Sequence, residues 1–174
     1  MTLFKMTKVV FASLLIMSSC FGFSQNTTDA SVEKSVFGVQ IGLLGIWTHN
    51  ELKLSNQVAL RSEIALSGVK SSSIMPLLAL EPRLYYNLNK RANKGKRIDG
   101  NSGNYISLRT SYQFFNTSQI EDDNQNQVLV VPTWGIRRNI GNHFNYEAGG
   151  GFGLGYQRKI VLALYVNLRI GYRF

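Results

Sequence analysis

The chain has 174 residues, 44% of them hydrophobic and 17% charged, with 16 Gly, 3 Pro and 1 Cys. This excludes collagen, a disulfide scaffold and a disordered chain starved of apolar residues, and the length suits one domain. The net charge of +9 fits nucleic acid or an anionic membrane and selects neither.

Residues 1–24 read as a secretory signal peptide. Lys5 and Lys8 form a positive start, and Val9 to Met17 is an apolar core of about nine residues. Gly22 and Ser24 are small residues before a cut at Gln25. The core is too short for a membrane-spanning helix, which needs about 20 residues. Cys20, the single cysteine, has two readings. It is removed with the signal, or it is lipidated, since Met17-Ser18-Ser19 loosely resembles a lipobox. Cutting 24 residues from 174 leaves 150 residues without cysteine, and loss of Lys5 and Lys8 takes the charge from +9 to +7. Disulfides then contribute nothing to stability.

Residues 25–34 are polar and aperiodic and read as a leader; 35–174 read as one β domain. Period-two alternation dominates there. Strands are expected over 36–43 and 46–54, around a tight turn at Leu44-Gly45. One long strand over 36–54 would leave an odd count of seven. The next four strands are expected over 58–67, 78–88, 105–114 and 128–137. The last two are expected over 144–156 and 163–174. The last strand is the clearest. Leu164, Val166, Leu168, Ile170, Tyr172 and Phe174 share one face, and Tyr165, Asn167, Arg169 and Arg173 the other. The 78–88 pattern places Leu78, Leu80, Pro82, Leu84, Tyr86 and Leu88 on one face. Turn signals at 54–57, 87–104 and 139–142 alternate with those at 67–74, 116–126 and 157–159, as hairpins at two ends of a barrel must.

Parity alone does not say which face is inside. The polar face carries Gly149, Gly151 and Gly153 in a row, which suits a crowded narrow interior. It also carries charges of both signs: Arg61, Glu63, Glu81, Arg83, Arg109, Arg137, Glu147, Arg169 and Arg173. These nine are the expected lumen charge network. The apolar face carries Tyr86, Phe144, Tyr146, Tyr172 and Phe174 toward one end and Tyr112, Phe114, Phe152 and Tyr156 toward the other. Two aromatic girdles are the mark of a barrel crossing a bilayer. The expected fold is all-β, an eight-stranded antiparallel up-and-down transmembrane barrel. A soluble β-sandwich or binding barrel would place the aromatics inside.

The ending Val166-Asn167-Leu168-Arg169-Ile170-Gly171-Tyr172-Arg173-Phe174 resembles the C-terminal signal of bacterial outer-membrane β-barrels. The 35–174 region resembles small barrels of the OmpA/OmpX type. Leu80-Glu81-Pro82-Arg83-Leu84-Tyr85-Tyr86-Asn87 and Gly100-Asn101-Ser102-Gly103-Asn104-Tyr105 are similar to an uncharacterised family of outer-membrane β-barrel-domain proteins. The resemblance implies an outer-membrane location and contact with outer-membrane lipids. It also implies recognition of Leu168, Ile170, Tyr172 and Phe174 by the barrel-assembly machinery. It carries no specific function, because such barrels serve adhesion, membrane integrity and enzymatic roles.

Catalytic parts are sparse. The histidines are His49 and His143. His49 shares a strand face with Glu51, and neither histidine sits in a recognisable nucleophile–base motif. No metal site, cofactor or catalytic residue is expected. Lys90, Arg91, Lys94, Lys96 and Arg97 form a basic run without interleaved aromatics, so nucleic acid is not an expected partner. Glu121-Asp122-Asp123 is an acidic run without defined ligand spacing. An eight-stranded barrel is just wide enough for its own side chains, so the charges are expected to form a salt-bridged plug. The expected function is a non-enzymatic, monomeric envelope barrel. The alternatives are a narrow channel, a lipid-modifying barrel enzyme and a soluble periplasmic binding barrel.

Overall fold

A computed structural model describes residues 30–43, 45–67, 75–114 and 126–174. Residues 1–29, Cys20 among them, and the acidic run Glu121-Asp122-Asp123 fall outside the described residues. Eight antiparallel strands pair in sequence order and β8 closes on β1, giving a barrel. The strands are β1 (Ser35–Gly42), β2 (Gly45–Lys53), β3 (Val58–Ser67) and β4 (Met75–Tyr85), followed by β5 (Asn104–Gln113), β6 (Gln127–Ile140), β7 (Phe144–Tyr156) and β8 (Ile160–Arg173). The first segment divides in two, with Gly42 opposite Gly45. A short helix, α1 (Leu88–Ala92), and a 3-10 turn at Asp99–Asn101 lie between β4 and β5.

Each strand alternates between an exposed face and a buried one, and the polarity is inverted. The exposed face holds Leu162 at 78%, Phe152 at 68% and Leu164 at 66%, whereas Arg61 and Glu147 are 0% exposed. The outer face is therefore apolar and the interior is charged. An all-apolar interior, as in a soluble β-barrel, is not what these strands build.

Three elements depart from simple alternation. β4 runs Met75–Tyr85 rather than 78–88, and Leu88 is not on the outer face. Beyond Tyr85 the chain turns into α1, which swings Leu88 beneath the barrel, where it is fully buried. β6 continues to Ile140, so the 139–142 turn contracts to Gly141, Asn142 and His143. β8 begins at Ile160, three residues before the alternation becomes clear.

Leu88 joins Val32, Ala59, Tyr85 and Tyr105 in an apolar cluster, with Ala30 and Ile98 against it. This cluster closes the barrel end that carries the 86–103 connection. The last residues of the stretch read as a leader take part in it. The Glu33 N–H donates to Asn101 Oδ1 at 2.8 Å, and the Val32 N–H to Asn56 O at 2.9 Å.

Proline leaves two gaps in the ladders. Between β4 and β5 the pairing passes from Leu80↔Thr110 to Arg83↔Ser107, skipping Pro82. Between β6 and β7 it passes from Val130↔Leu154 to Trp134↔Gly150, skipping Pro132. A proline has no N–H to donate, so a ladder facing its nitrogen loses that bond. At the second gap the chains close in. A Cβ on Gly151 would overlap the Pro132 carbonyl oxygen, and one on Gly153 the Val130 carbonyl oxygen. Glycine is required here by backbone approach.

Candidate functional site

The lumen is filled by nine buried ionised side chains, five arginines and four glutamates, with His49 and Gln40 among them. They come from β2 to β8, so the network ties most of the wall together. Eight of the nine charges expected from the sequence lie in it. The ninth, Arg173, sits at the closed end, pairing with Glu33 at 2.9 Å and Asp99 at 3.2 Å.

Glu147 is the hub at the closed half. It accepts from Arg61 Nη1 at 2.9 Å, Arg83 Nη1 at 3.2 Å and Arg137 Nε at 2.5 Å, and Arg137 Nη2 also touches it. Glu51 accepts from Tyr85 Oη at 2.6 Å, Asn101 Nδ2 at 2.9 Å and Arg137 Nη1 at 2.9 Å. Glu63 sits toward the opposite end. It pairs at 2.6 Å with each of Arg61, Arg109 and Arg169. Glu81 bridges Arg83 and Arg109, each at 3.1 Å, and accepts from Ser107 Oγ at 2.7 Å.

Aromatic side chains complete the filling. Arg83 lies 4.1 Å from the Tyr105 ring centre, Arg169 4.1 Å from Trp47, and Arg109 5.0 Å from Tyr165. Guanidinium planes stack on aromatic faces while their edges still donate, which suits a narrow tube. Gln40 accepts from Arg61 Nη2 at 2.6 Å and donates to Asn145 Oδ1 at 2.9 Å. Chemically the arrangement is a cross-brace. Each carboxylate is held by two or three donors, as burial of a charge demands.

The first hairpin supplies three members that polarity alternation does not reveal: Gln40, His49 and Glu51. The outer face of β2 carries Thr48 and Asn50, so its two faces do not separate by polarity. The signal was the parity of Ile46 and Leu52 against Trp47, His49 and Glu51. His49 and Glu51 do share the inner face, but Glu51 is taken by Tyr85, Asn101 and Arg137. His49 Nε2 lies 3.4 Å from Arg137 Nη2. His143 is exposed at the closed end, stacked on Tyr172 at 5.2 Å. Among the described residues no group of three His, Cys, Asp or Glu could hold a metal ion.

Outside, aromatics cluster at both ends. Phe37, Phe144, Tyr172 and Phe174 form a ring-contact chain, with Tyr172 to Phe174 at 5.2 Å and Phe37 to Phe174 at 5.5 Å. Trp134 Nε1 donates to Tyr86 Oη at 2.8 Å. Tyr112 and Phe114 meet edge to face at 4.8 Å nearer the other end. Leu168, Ile170 and Tyr172 all point outward, and Phe174 is 73% exposed. The basic run lies on α1 and the turn after it. Its Arg91 donates to the Arg97 carbonyl, and Arg97 pairs with Asp99 at 2.7 Å. That pairing, with an Asn139 hydrogen bond, holds the Asp99 carboxyl below its ordinary range against the opposing effect of burial.

Compared with known protein families, with curated sequences and with solved structures, the chain matches none.

Proposed function

We propose that the chain is an integral outer-membrane β-barrel with a plugged lumen, a non-enzymatic monomer that serves envelope structure or surface interaction. The observation that carries this is the inverted polarity of a closed barrel: an apolar outer face, and an interior of paired charges. In lipid every backbone N–H and C=O must be paired, and a closed sheet satisfies that requirement. An outward apolar band between aromatic girdles is the surface a bilayer solvates. Export follows from residues 1–24, and Leu168, Ile170, Tyr172 and Phe174 present the outward pattern read by barrel-assembly machinery.

The cross-brace argues against a channel. Ions crossing it would have to displace bonds of 2.5–3.2 Å that compensate buried charge. It also argues against catalysis in the lumen, because Glu51, the acid beside His49, is already committed to three donors. Two experiments test the proposal. The protein is expected to stay in the membrane pellet through alkaline carbonate washing, and to show no conductance steps in planar bilayers. Release by carbonate refutes the location, and discrete steps refute the plug.

A further inference from the structure

The barrel closes through a short ladder, because β1 is shorter than the β8 it pairs with. β1 holds β8 only from Gly38↔Arg173 to Gly42↔Arg169. β8 continues to Ile160, paired on its other side with β7 as far as Tyr156↔Ile160. Past Gly42 the Leu43 N–H reaches Leu168 O at 3.4 Å, and among the described residues the β1 side offers nothing further. The Tyr165 carbonyl lies toward β7, against Gly150. Strand alternation then directs the N–H and C=O of Val166 and Leu164 into the gap.

This notch opens into a cavity of about 170 Å³. Its inner wall carries Arg109, Arg169 and Asn167, and its outer lip carries Leu43, Leu164 and Val166. The lip is apolar and exposed, between 54% and 66% for these three residues. The inner wall is cationic. Five buried arginines face four buried glutamates, and at this end Arg109 and Arg169 share Glu63. The other carboxylate that reaches Arg109, Glu81, is already bound by Arg83. The lumen as a whole carries one more arginine than glutamate, and Arg109 and Arg169 are the two of the five that line the notch. Asn167 is 5% exposed, and its Oδ1 has no partner. Rotating the amide by half a turn presents its NH₂ donors instead.

We infer that the notch binds an amphiphile with a small anionic head group, a carboxylate or phosphate monoester, against Arg169, Arg109 and Asn167. Its acyl tail leaves between Leu43 and β8 and lies on the outer Leu164 and Val166 face. The cavity has room for about six waters at ~30 Å³ each, which suits a head group and its first methylenes but not a tail. Charge on the inside and hydrocarbon on the outside select this class over a sugar or a free inorganic ion. The inference goes beyond the membrane reading and rests on it only for the supply of amphiphile.

Trp47 reports on the site, since its ring lies 4.1 Å from the Arg169 guanidinium carbon. The other tryptophan, Trp134, is bonded to Tyr86 away from the notch. In a Trp134→Phe variant in nonionic micelles, quenching of Trp47 is measured with three dibrominated probes of equal chain length. These are a fatty acid, a phosphatidic acid and a fatty alcohol. Saturable quenching by an acid, with half-saturation about tenfold below that of the alcohol, is expected from charge-assisted hydrogen bonds. The two acids distinguish a free fatty acid from a lipid phosphate. Asn167→Leu, which breaks no observed side-chain bond through Oδ1, is expected to weaken acid quenching and leave the alcohol unchanged. Equal quenching by acid and alcohol, or no quenching, overturns the inference. Mobility of unheated samples on gels is read in parallel, so an unfolded or non-barrel preparation is told apart from an empty notch.

Discussion

Glu147→Gln is the sharpest test of the cross-brace. The substitution keeps the shape and removes one negative charge from a site fully shielded from solvent. Three guanidiniums, those of Arg61, Arg83 and Arg137, lose the nearer of their two shared counter-ions and keep Glu51 at 2.9–3.7 Å. The lumen balance moves from five cations against four anions to five against three. Two charges about 4 Å apart interact by ~4 kcal/mol at an effective dielectric of 20, so each uncompensated contact is costly. Removing one partner of a buried pair costs about 3–5 kcal/mol. That loss is expected in urea unfolding of the folded barrel in micelles, followed by tryptophan fluorescence. Lys94→Ala, on an exposed turn, is the control and should stay within about 0.5 kcal/mol. Adding Arg83→Gln to Glu147→Gln restores the original surplus of one cation. The double variant is therefore expected to be more stable than the sum of the single losses by about 1 kcal/mol or more. A Glu147→Gln barrel as stable as Lys94→Ala, or strict additivity in the double, would refute the reasoning.

Other substitutions probe the wall, the outer face and the closed end. Gly151→Ala places a Cβ on the Pro132 carbonyl oxygen and should cost at least about 3 kcal/mol. Gly95→Ala, at φ +64 with open space around it, should cost about 1 kcal/mol in the same unfolding assay. Leu80→Lys, midway along β4 and 54% exposed, should cost about 2–4 kcal/mol in vesicles because the lysine would enter hydrocarbon. A change under about 0.5 kcal/mol would mean that water surrounds this face. Asp99 has its pKa lowered by Arg97 and Asn139, so its contribution is fully present above its ordinary value of 3.8 and is lost as pH falls through the lowered one. Asp99→Asn should flatten this acid limb, checked by stability measured at stepped pH below 4 in wild type and variant.

How much was legible in the sequence follows from how each residue is constrained. Period two reads well in β8 because outward Leu164 to Phe174 and inward Asn167, Arg169 and Arg173 differ sharply in polarity. It reads well in β3 and β7 for the same reason. It fails at Leu88, whose spacing continues the outer face of β4 although the chain has already turned. The turn signal at 87–104 marks the change of direction, but the period-two count overruns it, and burial against Val32 and Tyr105 decides where Leu88 packs. It leaves Glu51 unassigned because Thr48 and Asn50 make the outer face of β2 polar. Val32 lies in a polar stretch, and only the closed barrel end offers it a place to pack. Of the pairing within the lumen, only the neighbours two apart on one strand, Arg61 with Glu63 and Glu81 with Arg83, follow from spacing. Arg61 and Glu63 share a strand, but Arg61 and Glu147 meet across 86 residues of sequence, and barrel closure alone brings them together.

The central claim is that lipid lies outside this barrel and charge inside. Fractionation of the native protein, with gel mobility compared before and after boiling, tests it most directly. The account predicts a membrane-bound protein that needs detergent for extraction and migrates differently once heat opens the closed barrel. A protein recovered in the soluble fraction without detergent, with the same mobility heated and unheated, would contradict it.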